Sequence, residues 1–208
     1  MSLELWIAFV LASAALLAVP GPTVMLVVSY ALGRGRSTGW ATVPGVTLGD
    51  FTAMTASLLG AGAVLATSAT LFTVLKFVGA AYLIWLGIQL WQTPSQQLEF
   101  IGTTNAKSNR AMFWNAYVVT ALNPKGIIFF VAFVPQFVDP SGPALLQFVV
   151  LETTFLVLAA LNVIAWAVLA GHLRSRFGKP STIRLANRIG GTFLVGAGLM
   201  TAALRRGD

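Results

Sequence analysis

Long apolar runs separated by short polar segments dominate the chain. There are six such runs, at 5–32, 39–64, 70–92, 112–138, 143–171 and 186–204. A helix needs about 20 consecutive apolar residues to cross a bilayer, and longer runs are accommodated by tilting or breaking the helix. The pattern therefore predicts an all-α integral membrane protein with six transmembrane helices in the lipid bilayer, the first of which begins near the N-terminus.

Composition supports this interpretation. The chain has 208 residues, of which 57% are hydrophobic and only 9% are charged, whereas soluble domains carry about 25% charged residues. We therefore expect one transmembrane transport domain over 1–208. The absence of cysteine excludes disulfides and thiol chemistry, and the single histidine leaves a metal site only carboxylates to use. No cofactor and no enzymatic activity are expected.

The net charge of +7 could indicate nucleic-acid binding, but the basic residues lie in short loops between apolar runs, which is typical of membrane orientation. We therefore expect no nucleic-acid partner. The basic residues concentrate on one side of the predicted bundle, which places the first, third and fifth loops in the cytoplasm and both termini outside. Those residues are Arg34, Arg36, Lys107, Arg110, Arg174, Arg176, Lys179, Arg184 and Arg188.

Two proline motifs interrupt apolar runs. Pro20-Gly21-Pro22 lies inside the first run, and Asn123-Pro124 lies inside the fourth. Proline cannot donate the backbone hydrogen bond that a helix requires, and glycine removes the steric preference for helix. Non-helical backbone at membrane depth persists only where protein or a water-filled cavity covers it. We therefore predict that helices 1 and 4 are broken.

The two breaks belong to an internal repeat. Pro22 precedes Asp50 by 28 residues, and Pro124 precedes Glu152 by the same interval. We assign repeat one to about 1–92, a polar cytoplasmic loop to about 93–110, and repeat two to about 111–208. Because each repeat holds three helices, the copies must run in opposite senses, an arrangement in which transporters place a binding site at the midplane.

Asp50 and Glu152 are the candidates for proton or ion coupling. A carboxylate at the bilayer centre costs about 2.5–3.5 kcal/mol on insertion scales and usually faces the interior of a helix bundle. Gly45 and Gly49 belong to a ridge of small residues that favours close helix packing, which directs Asp50 away from lipid. The alternative is a structural acid that pairs with a lysine or caps a broken helix.

Three other polar residues have competing interpretations. Lys125 could bind a substrate carboxylate, pair with one of the two acids, or extend to the membrane surface. Asn162 is expected to form an interhelical hydrogen bond, and His172, at the edge of a basic loop over 172–188, is expected to be interfacial.

The segment Gly178-Lys179-Pro180 lacks the spacing of a nucleotide-binding loop, so transport energy would come from an ion gradient.

The chain resembles the LysE/RhtB superfamily of small bacterial amino-acid exporters. The resemblance rests on the order and spacing of motifs along nearly the whole chain: Pro20-Gly21-Pro22, Gly45-Val-Thr-Leu-Gly49-Asp50, Asn123-Pro124-Lys125 and Phe133-Val-Pro-Gln-Phe137. It implies efflux of amino acids or close derivatives across the bacterial inner membrane, by proton antiport and often as a homodimer. The direction of transport comes from the resemblance alone.

Together these observations give the hypothesis of a proton-coupled exporter whose small-molecule site lies between the two breaks. The expected substrate-binding residues are those of the two motifs, namely Pro20, Gly21, Pro22, Asn123, Pro124 and Lys125. Alternatives are a divalent-cation exporter of a related family, a membrane enzyme, and a non-catalytic membrane scaffold. The lack of cysteine counts against soft metals and thiol-redox carriers.

Overall fold

A computed structural model of the protein describes residues 1–92, 108–139, 142–177 and 180–203. Within these ranges the chain forms eight α-helices and three short segments of tighter or wider helix. The α-helices are α1 (Leu3–Ala18), α2 (Pro22–Arg34), α3 (Gly39–Thr67), α4 (Ala69–Gln92), α5 (Asn109–Ala121), α6 (Pro124–Ile128), α7 (Ala144–Phe177) and α8 (Pro180–Ala203).

The predicted breaks at the two proline motifs are confirmed. The axes of α1 and α2 meet at 54°, and the axis of α5 meets the segment Pro124–Phe137 at 41°. In each case the second helix begins with a proline, whose missing N–H is one that a first helical turn leaves unbonded in any case. Beyond α6 the chain continues as a π-helical turn, Phe129–Phe133, and a 3₁₀ turn, Val134–Phe137.

Length and composition identify candidate membrane-crossing segments within the described ranges. One helix, Ala144–Ala170, is long and apolar enough to cross a bilayer by itself. Each of the two bent helix pairs is also long and apolar enough to cross a bilayer when the pair is counted as one span. The described residues therefore contain up to three candidate spans. The arrangement of six spans in two inverted repeats therefore stays a prediction.

The expectation of a basic loop over 172–188 is wrong. Helix α7 continues to Phe177 and α8 begins at Pro180, so nearly all of that segment is helical. Arginine and leucine are good helix formers, and proline is favoured at the first position of a helix, so a basic segment need not be a loop. Residues 93–107 of the predicted polar loop at about 93–110 lie outside the described part of the chain.

An aromatic cluster fills the space between α1, the π and 3₁₀ turns, and α7. Neighbouring ring centroids are 4.9 to 6.1 Å apart, and each side chain is at most 2% exposed. Rings at these separations in edge-on or tilted contact contribute beyond their buried area. The cluster consists of Phe9, Phe129, Phe130, Phe133, Phe137 and Phe155.

Glycines set the closest helix contacts. A Cβ atom added to Gly45 would lie 2.5 Å from the carbonyl oxygen of Phe113, and one added to Gly49 would lie 2.8 Å from that of Tyr117, so α3 and α5 touch backbone to backbone. Helices α4 and α8 pack in the same way, since a Cβ on Gly198 would lie 2.7 Å from the carbonyl oxygen of Ala80. These contacts fix the position of α3, which carries Asp50, against the second broken helix.

Two glycines on the same helix provide a matched test of this packing. Gly198→Ala should destabilise the protein by about 1–3 kcal/mol, because its new methyl group meets backbone atoms of α4 that cannot move aside. Gly196→Ala should be neutral or slightly stabilising, since no atom lies within 4 Å of a Cβ there. Thermal unfolding of the purified variants in detergent measures both effects, and equal melting temperatures would contradict the packing described.

Candidate functional site at the two helix breaks

The two breaks contact each other through a chain of polar side chains. Thr23, in the first turn of α2, lies 3.2 Å (Oγ1 to Oγ1) from Thr120, in the last turn of α5. Asn123 donates from Nδ2 to Thr23 Oγ1 at 3.3 Å, and its Oδ1 accepts the backbone N–H of Lys125 at 3.1 Å. Asn123 therefore caps α6 and connects the second break to the first.

Lys125 forms the strongest link between the breaks. Its ammonium group donates to the carbonyl oxygens of Leu16 and Val19, at 3.1 and 3.0 Å. In an uninterrupted helix the N–H of residue 20 would bond to Leu16, but Pro20 has none. Hydrogen bonds from a charged donor contribute about 1.5–3 kcal/mol each, so this lysine is a substantial replacement for the bond that proline removes. The ammonium lies close to Gly21, where an added Cβ would be 3.3 Å from Nζ.

A small cavity lies beside this link. Its volume is about 40 Å³, which is room for water but far below the roughly 300–1,000 Å³ of typical ligand pockets. It is bounded by both breaks and by the facing sides of α3 and α7. The lining residues are Leu16, Leu17, Gly21, Thr23, Val24, Val46, Asp50, Asn123, Lys125, Gly126, Phe155, Ala159, Asn162 and Val163.

Asp50 supplies the cavity's negative charge. It is 8% exposed and lies one helical turn after Val46, on the side of α3 that lines the cavity. Its carboxylate attracts the ammonium of Lys125 electrostatically, but the described residues contain neither a direct ion pair between them nor a hydrogen bond to the Asp50 side chain. Asp50 therefore presents an uncommitted carboxylate to the cavity, whereas Lys125 is already engaged by two carbonyl groups.

The two helix starts at the site differ in capping. The first turn of α6 is capped by the Asn123 side chain. Helix α2 follows Gly21, and no side chain caps its first N–H groups in the described part of the chain. The N-terminus of a helix carries partial positive charge and donors that attract an anion. With Lys125 adjacent, the start of α2 is the positive end of the cavity.

The motif residues divide by role. Gly21, Asn123 and Lys125 line the cavity together with Asp50. The prolines at 20, 22 and 124 are not among its lining residues; they end one helix or begin the next. Substrate binding by the six motif residues stays a prediction, and three of them, Gly21, Asn123 and Lys125, reach the cavity wall.

Glu152 is separated from the cavity. Its carboxylate accepts a hydrogen bond of 2.6 Å from Thr55 on α3, and it lies one turn before Phe155, the first α7 residue of the lining. The matched 28-residue spacing therefore does not give matched environments. Glu152 joins α7 to α3, and its predicted coupling role stays a prediction.

The surroundings of Asn162 differ from those predicted. We expected an interhelical hydrogen bond, but its side chain forms no hydrogen bond within the described residues and instead lines the cavity. Its spacing from Phe155 and Ala159 places these three residues on one face of α7. That spacing is visible in the sequence, although nothing there shows which helix face meets the breaks.

Different contacts close the site on its two sides. On the α2 side, Thr23 meets Thr120, and Asn115 on α5 donates to the hydroxyl of buried Tyr30 at 2.7 Å. On the α1 side, the aromatic cluster adjoins the cavity through Phe155. The contacts on the α2 side are polar bridges between α2 and α5, and those on the α1 side are packed aromatic rings.

Comparison with known proteins identifies relatives along the full chain. The family model "LysE type translocator" matches residues 14–204. An uncharacterized membrane protein of Vibrio cholerae is 31% identical over 99% of this chain and 100% of its own. A homoserine/homoserine lactone efflux protein of Salmonella typhi is 29% identical over 99% of both chains. A leucine efflux protein of an Enterobacter species is 29% identical over 89% of both.

No solved structure matches the chain. The family model spans most of the sequence, including both helix breaks, Asp50 and Lys125, and the Vibrio relative extends the similarity to full length. The chain is therefore a membrane transport protein that belongs to the LysE type translocator family.

Proposed function

We propose that this protein exports amino acids or close derivatives across the bacterial inner membrane in exchange for protons. The observation that carries the proposal is that both helix breaks, the Asp50 carboxylate and the Lys125 ammonium surround one cavity. The named relatives at 29% identity export homoserine, homoserine lactone or leucine, so an amino-acid substrate agrees with the charges of the site.

The charges suit the two poles of a zwitterion. The substrate carboxylate would lie at the uncapped start of α2, next to Lys125, where the helix dipole and the ammonium both favour an anion. The substrate ammonium would lie at Asp50, whose carboxylate has no other hydrogen-bond donor among the described residues. The remaining wall is largely apolar and would contact the substrate side chain.

Exchange of substrate for protons follows because a single carboxylate, that of Asp50, binds both cations in turn. Asp50 can hold a proton or the ammonium of an amino acid, but not both at once. A proton that enters from outside would displace the substrate, and release of that proton inside would restore the carboxylate for the next substrate. This competition is sufficient for antiport without a second energy source, and Glu152 is the candidate for any further proton.

Transport requires the cavity to widen alternately toward each side. A volume of about 40 Å³ is too small for an amino acid in the present arrangement. We propose that the breaks act as hinges, with the polar bridges between α2 and α5 separating on one side and the aromatic cluster separating on the other. Two inverted repeats, about 1–92 and 111–208, would give the two half-cycles related geometry.

A divalent cation fits the cavity less well than a zwitterion. Hard cations such as Ca²⁺ take six to eight oxygen ligands. The described residues hold no cluster of three or more His, Cys, Asp or Glu side chains, and the carboxylate of Asp50 shares the cavity with a lysine ammonium. We therefore favour the amino-acid substrate.

Replacing Asp50 tests the coupling. In proteoliposomes loaded with radiolabelled L-homoserine or L-leucine, an inwardly directed proton gradient should accelerate efflux through the wild-type protein. Asp50→Asn should abolish this acceleration, because the amide cannot carry the proton. Efflux with and without the gradient gives the measurement.

Glu4→Gln provides the control, since it makes the same change on an exposed side chain at the start of α1 and should leave gradient-driven efflux intact. Gradient-driven efflux at the wild-type rate through the Asp50→Asn protein would remove Asp50 from coupling. If the rate of efflux through the wild-type protein is the same with and without the proton gradient, proton antiport is ruled out.

A cross-link tests the moving contact between α2 and α5. The chain contains no cysteine, so Thr23→Cys combined with Thr120→Cys places two thiols where the hydroxyl oxygens are 3.2 Å apart. Oxidation should form a disulfide and stop transport, and reduction should restore it. Each single variant, treated identically, is the control. Full transport by a completely cross-linked protein would show that this contact does not open.

A further inference from the structure

We propose that Asn162 selects substrates by a hydrogen bond to their side chain, so that the site prefers a small amino acid with a side-chain hydroxyl or carbonyl group over a purely aliphatic one. This inference rests on the amino-acid export proposed above and names the substrate class within it. It assigns to α7 a role that is separate from those of the two proline motifs.

The first argument is the distribution of polar groups in the cavity. Thr23, Asn123 and Lys125 are hydrogen-bonded to one another or to the carbonyls of α1. Asp50 and Asn162 also line the cavity, and within the described residues neither side chain has a hydrogen-bond partner in the protein. These two are therefore the polar side chains left to bind a ligand directly.

The second argument is that the poles of a zwitterion already have partners. The ammonium is matched by Asp50, and the carboxylate is matched by the start of α2 and Lys125. An amide is neutral and offers both a donor and an acceptor, so it adds little to charge recognition. It is well suited to a hydroxyl, ester or amide on the substrate side chain.

The third argument is the setting of Asn162 on α7. The other lining residues of this helix are Phe155, Ala159 and Val163, which are apolar and almost fully buried. An aliphatic substrate side chain would need only apolar contacts with these residues. It would leave the amide of half-buried Asn162 without a partner in the bound complex, and a binding site built around such a group discriminates strongly against ligands that cannot bond to it.

The test compares two substitutions of nearly equal shape. Asn162→Thr keeps a hydroxyl at this position, whereas Asn162→Val replaces it with a methyl group. Equilibrium binding of radiolabelled L-homoserine to the purified protein in detergent, competed by unlabelled L-leucine, measures selectivity without requiring transport. L-homoserine carries a side-chain hydroxyl, and L-leucine has none.

The wild-type protein should prefer L-homoserine. The Asn162→Val substitution should lower the ratio of homoserine to leucine affinity by about tenfold, the effect of one lost hydrogen bond. The Asn162→Thr protein should retain most of that preference, and this rescue separates recognition from a packing role, because the two variants fill the same volume.

Three results would overturn the proposal. One is a wild-type protein that binds leucine as tightly as homoserine. Another is an Asn162→Val protein with unchanged selectivity. The third is an equal loss of affinity for both ligands in the Asn162→Val and Asn162→Thr proteins, which would mean that Asn162 has a packing role. Binding of neither amino acid by the wild-type protein would count against the amino-acid substrate itself, so the two failures are distinguishable.

Discussion

The hydrogen bonds from the Lys125 ammonium to the carbonyl oxygens of Leu16 and Val19 join the two helix breaks to each other. A break in an apolar helix exposes backbone groups that lipid cannot satisfy. Here the break between α1 and α2 is satisfied by a side chain from the break between α5 and α6. Neither break can be repositioned without disturbing the other, and the cavity exists because the two meet.

This arrangement connects substrate binding to movement in the proposed mechanism. The same ammonium that satisfies the carbonyls of α1 lies next to the proposed carboxylate position at the start of α2. A substrate carboxylate would therefore compete with those carbonyls for Lys125 and weaken the link between the breaks. Ligands shift a conformational equilibrium only by interacting differently with its states, and this competition supplies such a difference. Asp50 would add a second difference, because it exchanges a proton for an ammonium group.

Much of this site is accessible from the sequence, for identifiable reasons. Proline next to Gly21 or after Asn123 predicts a helix break, and both breaks are present, whereas Pro44 lies inside the continuous helix α3. The glycines at 45 and 49 indicate a close helix contact, and the structure supplies its partner, α5. Asp50 can be placed at a helix interface because lipid excludes a carboxylate.

Other features depend on the rotation of a helix about its axis, which short motifs do not encode. Asn162 and Glu152 both lie on α7, yet one lines the cavity and the other bonds to Thr55. The charge of the segment at 172–188 is typical of a loop, but helix propensity outweighs it and the segment is mostly helical. Three alternatives for Lys125 are open in the sequence, since the depth of a side chain cannot be read from its neighbours.

The most direct test of the account is the distance between the ammonium nitrogen of Lys125 and the carbonyl carbon of Val19. Solid-state NMR of the protein in lipid bilayers can measure it, with ¹⁵N in the lysine side chains, ¹³C in the valine carbonyls and the Lys125→Met protein as background. An N···O distance of 3.0 Å places the two nuclei about 4 Å apart, so the account predicts strong dipolar dephasing that disappears in the variant. Dephasing no greater than that background would show that the two breaks are not joined, and the shared site would have no structural basis.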